Sequence, residues 1–181
     1  MSSILKVDQL QDSGGNALIT SDGSGNVNTN IISHFSQWRL TSDYTTTATT
    51  NTLLPDWTQV STFGTGVMTN SSGTWSFPST GVYEIRVHGL FLDTGSSRFA
   101  GIRIYKTTDN STYTACSTQY GNMNRVSSTW FTSCVTPAVF DVTDITLCKV
   151  QINAYTETAA TVDAATTDLR TQVFFKKIME T

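Results

Sequence analysis

The chain has 181 residues, with 11 Lys and Arg against 14 Asp and Glu, a formal net charge of −3 and only 14% charged residues, where an average domain carries about 25%. So weak a charge excludes a clustered basic face for nucleic acid, and no apolar run approaches the roughly 20 residues that span a bilayer, so neither a nucleic-acid partner nor membrane insertion is expected. The length suits one domain plus an arm, and 33 Thr with 20 Ser favour strands and turns over helices.

Residues 1–33 differ from the rest. Ile4-Leu5-Lys6-Val7-Asp8-Gln9-Leu10 reads as a short strand, Asp12-Ser13-Gly14-Gly15-Asn16 as a turn, and Ala17-Leu18-Ile19-Thr20 as a second strand. The cluster Asp22-Gly23-Ser24-Gly25-Asn26 is a further turn, because it lacks the later bidentate Glu of a calcium loop. Too little apolar material is present for a separate core. The segment is therefore expected to be an arm that orders against another surface, with Ile4, Leu5, Val7, Leu10, Leu18 and Ile19 as its contacts.

From residue 34 to 181 strands and turns alternate as one head. The Thr-rich stretch from Tyr44 to Thr52 reads as a loop or exposed edge. Trp57, beside Pro55 and Asp56 in a loop context, is the candidate for an exposed, ligand-facing indole. Trp75 and Phe77 lead to a turn at Ser79-Thr80-Gly81. Val82 to Leu92 then alternates, with Tyr83, Ile85, Val87 and Phe91 on one face and Glu84, Arg86 and His88 on the other. Arg98 to Lys106, Ser128 to Val135, Val139 to Val142, Thr146 to Tyr155 and Leu169 to Ile178 continue the pattern. Trp75, Phe77, Tyr83, Ile85, Val87, Phe91, Phe174 and Ile178 are the candidates for core or subunit interface. Eight or more short strands with regular turns predict an all-β sandwich, jelly roll or barrel.

Catalytic signatures are missing. Gly23-Ser24-Gly25 is too short for a nucleophile elbow, and no Gly-rich stretch leads into Lys-Ser or Lys-Thr. His34 and His88 are expected at a surface or interface, and Asp163, Asp168, Asp141 and Asp144 as solvated loop acids. Cys116, Cys134 and Cys148 match no zinc or redox spacing and read as free thiols packed as small apolar groups, although a pairing of two of them stays open. No enzyme activity, cofactor or metal is expected.

From about Trp57 onward the order of elements resembles the C1q/TNF-like trimeric jelly-roll family. The resemblance rests on Gly73-Thr74-Trp75-Ser76-Phe77-Pro78-Ser79-Thr80-Gly81-Val82-Tyr83-Glu84-Ile85-Arg86-Val87, on Ile102-Arg103-Ile104-Tyr105-Lys106, and on the closing Val173-Phe174-Phe175-Lys176-Lys177-Ile178. It departs from that pattern at Thr143-Asp144, where the family has Gly-Asp, and in having no collagen-like stalk. The resemblance implies an antiparallel jelly-roll sandwich that forms homotrimers. The opening Ser3-Ile4-Leu5-Lys6-Val7-Asp8-Gln9-Leu10 with its Gly-Asn turns is similar to the start of tail-fibre and other virion proteins of marine tailed bacteriophages. That second likeness implies a virion surface protein with an extended N-terminal arm docked on other virion proteins. Capsid decoration is the favoured role. A short tail fibre adsorbing to a host glycan, or a bacterial C1q-like carbohydrate-binding module, is the alternative.

Overall fold

A computed structural model describes residues 9–21, 23–24, 27–29, 33–123 and 129–181. Among them every regular element is a strand. The first part of the chain holds β1 (Gln9–Gln11), β2 (Ala17–Ser21), β3 (Val27–Thr29), β4 (His34–Leu40), β5 (Tyr44–Thr45), β6 (Thr52–Leu53), β7 (Trp57–Gly64), β8 (Thr69–Ser71) and β9 (Thr74–Ser76). There follow β10 (Gly81–Asp93), β11 (Phe99–Thr107), β12 (Thr114–Asn122), β13 (Trp130–Val142), β14 (Lys149–Thr156), β15 (Thr161–Val162) and β16 (Gln172–Met179).

The strands form three antiparallel sheets. β1, β2 and β3 make a small sheet of their own, which shares no ladder with the others. The turn between β1 and β2 is closed by the Asp12 carboxylate, which accepts from the Gly14 and Asn16 amides at 2.8 and 2.9 Å. The expected arm thus contains short paired strands, while Ile4, Leu5 and Val7 lie outside the described residues.

The head has two sheets. In the first, β7, β4, β16, β10 and β13 lie side by side, with β15 and β5 continuing beyond the end of β16. In the second, the order is β12, β11, β14, β9, β8, with β6 also on β14. The chain crosses between sheets after β5, β6, β7, β9, β10, β12, β13 and β14, which is the connectivity of a sandwich whose core is shared by sequentially distant strands.

Alternation builds that core. In β10, Tyr83, Ile85, Val87 and Phe91 are fully buried, with Gly89 on the same side, and the residues that alternate with them face outward. Ile102 and Ile104 of β11, Val150 and Ile152 of β14, and Val173 and Phe175 of β16 also point inward. One part of the core is aromatic: Trp75 sits 5.1 Å from Trp57 and 5.5 Å from Phe175, and Phe77 sits 4.7 Å from Tyr83. Tyr83 keeps its hydroxyl satisfied at the Ser79 carbonyl, 3.1 Å away.

Several expectations change. The two strands expected on either side of Pro137 are one continuous strand, Trp130–Val142, because Pro137 lies in an edge strand that among the described residues pairs only with β10, where a missing N–H can face away from the sheet. Trp57 opens strand β7 rather than lying in a loop. The Thr-rich segment is only partly a loop: Thr46 is buried, its hydroxyl 2.5 Å from that of Thr156 and donating to the Ala160 carbonyl at 3.0 Å. Among the described residues no helix is long and apolar enough to cross a membrane.

Candidate functional site

The outward face of the first sheet is read directly from strand register, since residues opposite each other share a face. One row across it runs Phe63, Phe35, Lys176, Glu84, Val139. The next runs Ser61, Gln37, Phe174, Arg86, Pro137. Its two flanks are apolar and its centre is charged. On one flank Phe35 packs between Phe63 and Phe174, 6.0 Å from each. On the other, Phe131, Val135 and Val139 stand outward in succession along β13, Val139 being 61% exposed.

Between the flanks, Arg86 Nη2 donates to Glu84 Oε1 at 2.9 Å, and the two lie beside Lys176 and His88. These residues with Phe35 and Phe174 line a shallow cavity of about 400 Å³. Phe63 on one flank and Phe131 and Val139 on the other are thus large apolar side chains left exposed, separated by the charged centre.

The predicted site residues separate by face. Trp75, Phe77, Tyr83, Ile85, Val87 and Phe91 lie in the core between the sheets, whereas Phe174 and Ile178 lie on the outward face just described. Leu10, Leu18 and Ile19 are exposed on the small N-terminal sheet.

Trp57 corrects an expectation. It is 8% exposed at the start of β7, packs edge-on against Trp75, and donates its Nε1–H to the Leu54 carbonyl at 2.6 Å. A ligand-facing role is overturned, because the Pro55-Asp56 turn directs the indole under the second sheet rather than into water. His34 is also interior, at 1% exposure, with Nδ1 3.3 Å from the Thr65 carbonyl. Its burial, reinforced by the charge on Lys177, holds the imidazole below its ordinary pKa despite the bonding carbonyls. Asp163 is buried as well, meeting Arg170 at 3.0 Å, and Asp168 meets the same guanidinium at 3.3 Å. Asp141 and Asp144 are exposed, Asp144 capping the turn before β14. The three cysteines are free thiols, with Cys134 and Cys148 buried and Cys116 exposed. Among the described residues no group of three or more His, Cys, Asp and Glu is placed to hold a metal.

The outward face of the second sheet carries a constellation that alternation alone did not single out. Arg103 of β11, Tyr120 of β12 and Tyr155 of β14 meet there, with Phe99 beside them. A clue lay in the run Ile102-Arg103-Ile104-Tyr105, which places a lone cation on the face opposite two core isoleucines.

Two stacked antiparallel sheets with this connectivity, one of them presenting an apolar-flanked outer face, define the head as a jelly roll of the C1q/TNF type. In fold it is similar to murine APRIL, whose crystal structure at pH 8.0 matches with a TM-score of 0.55 and 15% identity over 80% of this chain and 98% of that one. The pH 5.0 structure of murine APRIL gives 0.58 and 14% over 80% and 98%, and Eiger TNF from S. frugiperda gives 0.61 and 11% over 81% and 93%. At such identities the likeness is one of fold. No protein-family model matches the sequence, and no curated protein matches it.

Proposed function

We propose that this chain is a non-enzymatic structural protein of a bacteriophage virion surface, a homotrimeric decoration or cement subunit held to the particle by its N-terminal arm. The observation that carries the self-association is the outer face of the first sheet. Its two apolar flanks differ: one is aromatic (Phe35, Phe63, Phe174), the other mainly aliphatic (Val135, Val139, with Phe131). Two unlike patches on one subunit favour a head-to-tail contact, which closes into a ring when the rotation allows. Three copies related in this way would bring Glu84, Arg86 and Lys176 together near the axis, where paired charges fix register more than they add stability.

The arm reading is supported by Leu10, Leu18 and Ile19, which stand exposed on a sheet with no ladder to the head. The virion setting draws on the similarity of the opening residues to phage virion proteins. A low overall charge suits subunits packed at high density, since it limits their mutual repulsion.

Sedimentation equilibrium tests the assembly. The expected mass is three times the 19.8 kDa of one chain. Val139→Asp places a charge on an exposed flank, so it should leave strand content intact and give monomers. A monomeric wild-type protein, or a trimer indifferent to Val139→Asp and Phe63→Asp, would overturn this account. Deleting residues 1–33 should keep the trimer and abolish attachment to particles. Attachment that survives the deletion would count against the arm.

A further inference from the structure

Residues Phe99, Gly101, Arg103 and Tyr105 alternate onto the outward face of β11. Gly101 lies opposite Tyr120 on one neighbour and Tyr155 on the other. A Cβ at this position would stand 2.3 Å from Tyr120 Cδ1, so the absence of a side chain is what lets the Tyr120 ring lie across the strand. Phe99 then packs edge-on to Tyr120 at 5.2 Å and nearly parallel to Tyr155 at 6.2 Å. The result is a fixed aromatic floor, of which Tyr120 remains 44% exposed.

Arg103 is held on that floor. Its Cζ stands 3.7 Å from the centroid of the Tyr155 ring. Nε donates to the Tyr120 hydroxyl at 3.2 Å, Nη2 donates to the same oxygen, and Nη1 reaches across β14 to Asn51 Oδ1 at 3.0 Å. These bonds use three of the five N–H donors, and the Tyr105 hydroxyl also engages the guanidinium. All of these partners are neutral.

The ion pairs among the described residues use Arg86, Arg98, Arg170 and Lys177. Glu157, the acid just past Tyr155 in sequence, is already clamped by Arg98, whose Nε lies 2.7 Å from Oε1. Arg103 is therefore a cation in a set orientation, without a carboxylate among the described residues, on a flat ring surface with the Asn51 amide at its edge.

We propose that the Arg103–Tyr120–Tyr155 cluster binds an acidic saccharide, a pyranose unit carrying a carboxylate. The C–H face of a sugar packs on a tyrosine ring, and a planar guanidinium whose charge meets only neutral partners matches a carboxylate. Because the donors are already oriented, little side-chain freedom is lost on binding. A nucleic acid would require a track of cations rather than one. The cluster lies on the face of the sandwich opposite the self-association face and does not depend on that reading.

The test uses the full chain and three probes: trigalacturonate, a glucuronate trisaccharide and sialyllactose, each beside its methyl ester, titrated calorimetrically. At least one acid should bind with a Kd below about 10 mM and at least about tenfold more tightly than its ester, the equivalent of roughly 1.4 kcal/mol. Arg103→Gln should weaken that acid at least tenfold, whereas Lys149→Gln, which removes another cation of the same sheet, should not. The ester comparison needs no variant and so stands even if Arg103→Gln folds poorly. Binding of none of the three acids, equal binding of acid and ester, or equal loss in Lys149→Gln and Arg103→Gln would each overturn the proposal. The oligomer mass is read separately and is unaffected by any of these outcomes.

Discussion

Replacing Trp57 by alanine distinguishes a core indole from a ligand platform. The side chain is 8% exposed and stacks edge-on to Trp75 at 5.1 Å, so its removal leaves a cavity against a second fully buried indole. Large-to-small changes of this kind cost about 3–5 kcal/mol, and the 2.6 Å bond to the Leu54 carbonyl contributes about 1 kcal/mol. Because Trp57 is the first residue of β7, an edge strand that can relax, a total near 4 kcal/mol is expected. For a chain of this size, roughly 2–4 °C of Tm follows each kcal/mol, so Trp57→Ala should melt about 8–16 °C lower. Trp57→Phe keeps most of the ring contact but loses the donor, and should cost about 1–2 kcal/mol. Thermal unfolding followed by far-ultraviolet circular dichroism reads both, at one protein concentration because assembly raises apparent stability. If Trp57→Ala melts within about 2 °C of wild type, the burial argument for this residue fails.

Two further predictions concern pH and thiol chemistry. The unfolded chain protonates His34 near its ordinary value of 6.5 whereas the folded chain holds it lower, so the folded state binds fewer protons on acidification. Its contribution should be fully present above about pH 6.5 and be lost as the pH falls through the folded value. Denaturant titrations between pH 5 and 7 should show this slope and His34→Asn should remove it, while an unchanged slope in the variant would refute it. Burial pushes the Cys134 thiol up to about 11 and raises that of Cys116 too, so at pH 8 little thiolate exists for attack. A chromogenic disulfide reagent should label Cys116 slowly, leave Cys134 and Cys148 untouched in the native protein, and label all three in denaturant. Rapid reaction of two thiols in the native state would contradict this packing.

The strand core was legible because alternation is local. Tyr83, Ile85, Val87 and Phe91 recur every second residue or at multiples of two, and in β10 that period alone sends them to one side. Which side faced protein and which faced a possible partner was open: of the candidates for core or subunit interface, Phe174 and Ile178 point outward while the β10 residues point inward. Trp57, His34 and Asp163 were misjudged for a shared reason: each meets chain from another part of the sequence. Trp75 covers Trp57, the β16 residue Lys177 lies near His34, and the Asp163 amide donates to the Leu90 carbonyl of β10 at 2.8 Å. The Arg103 cluster was illegible in the same sense, since its members come from β11, β12, β14 and the approach to β6.

The sequence by itself determined that this is an all-β chain of low charge, with an N-terminal segment unlike the head and an aromatic-led central strand. These properties depend on composition and on period-two patterning, which act within a few residues. Only the tertiary structure decided which apolar residues are spent in the core and which remain outside. That division depends on the register between strands, and a shift of one residue would exchange the two faces of any strand. It leaves Phe63, Val139 and Phe131 on one surface of the sandwich and an oriented, unpaired Arg103 on the other.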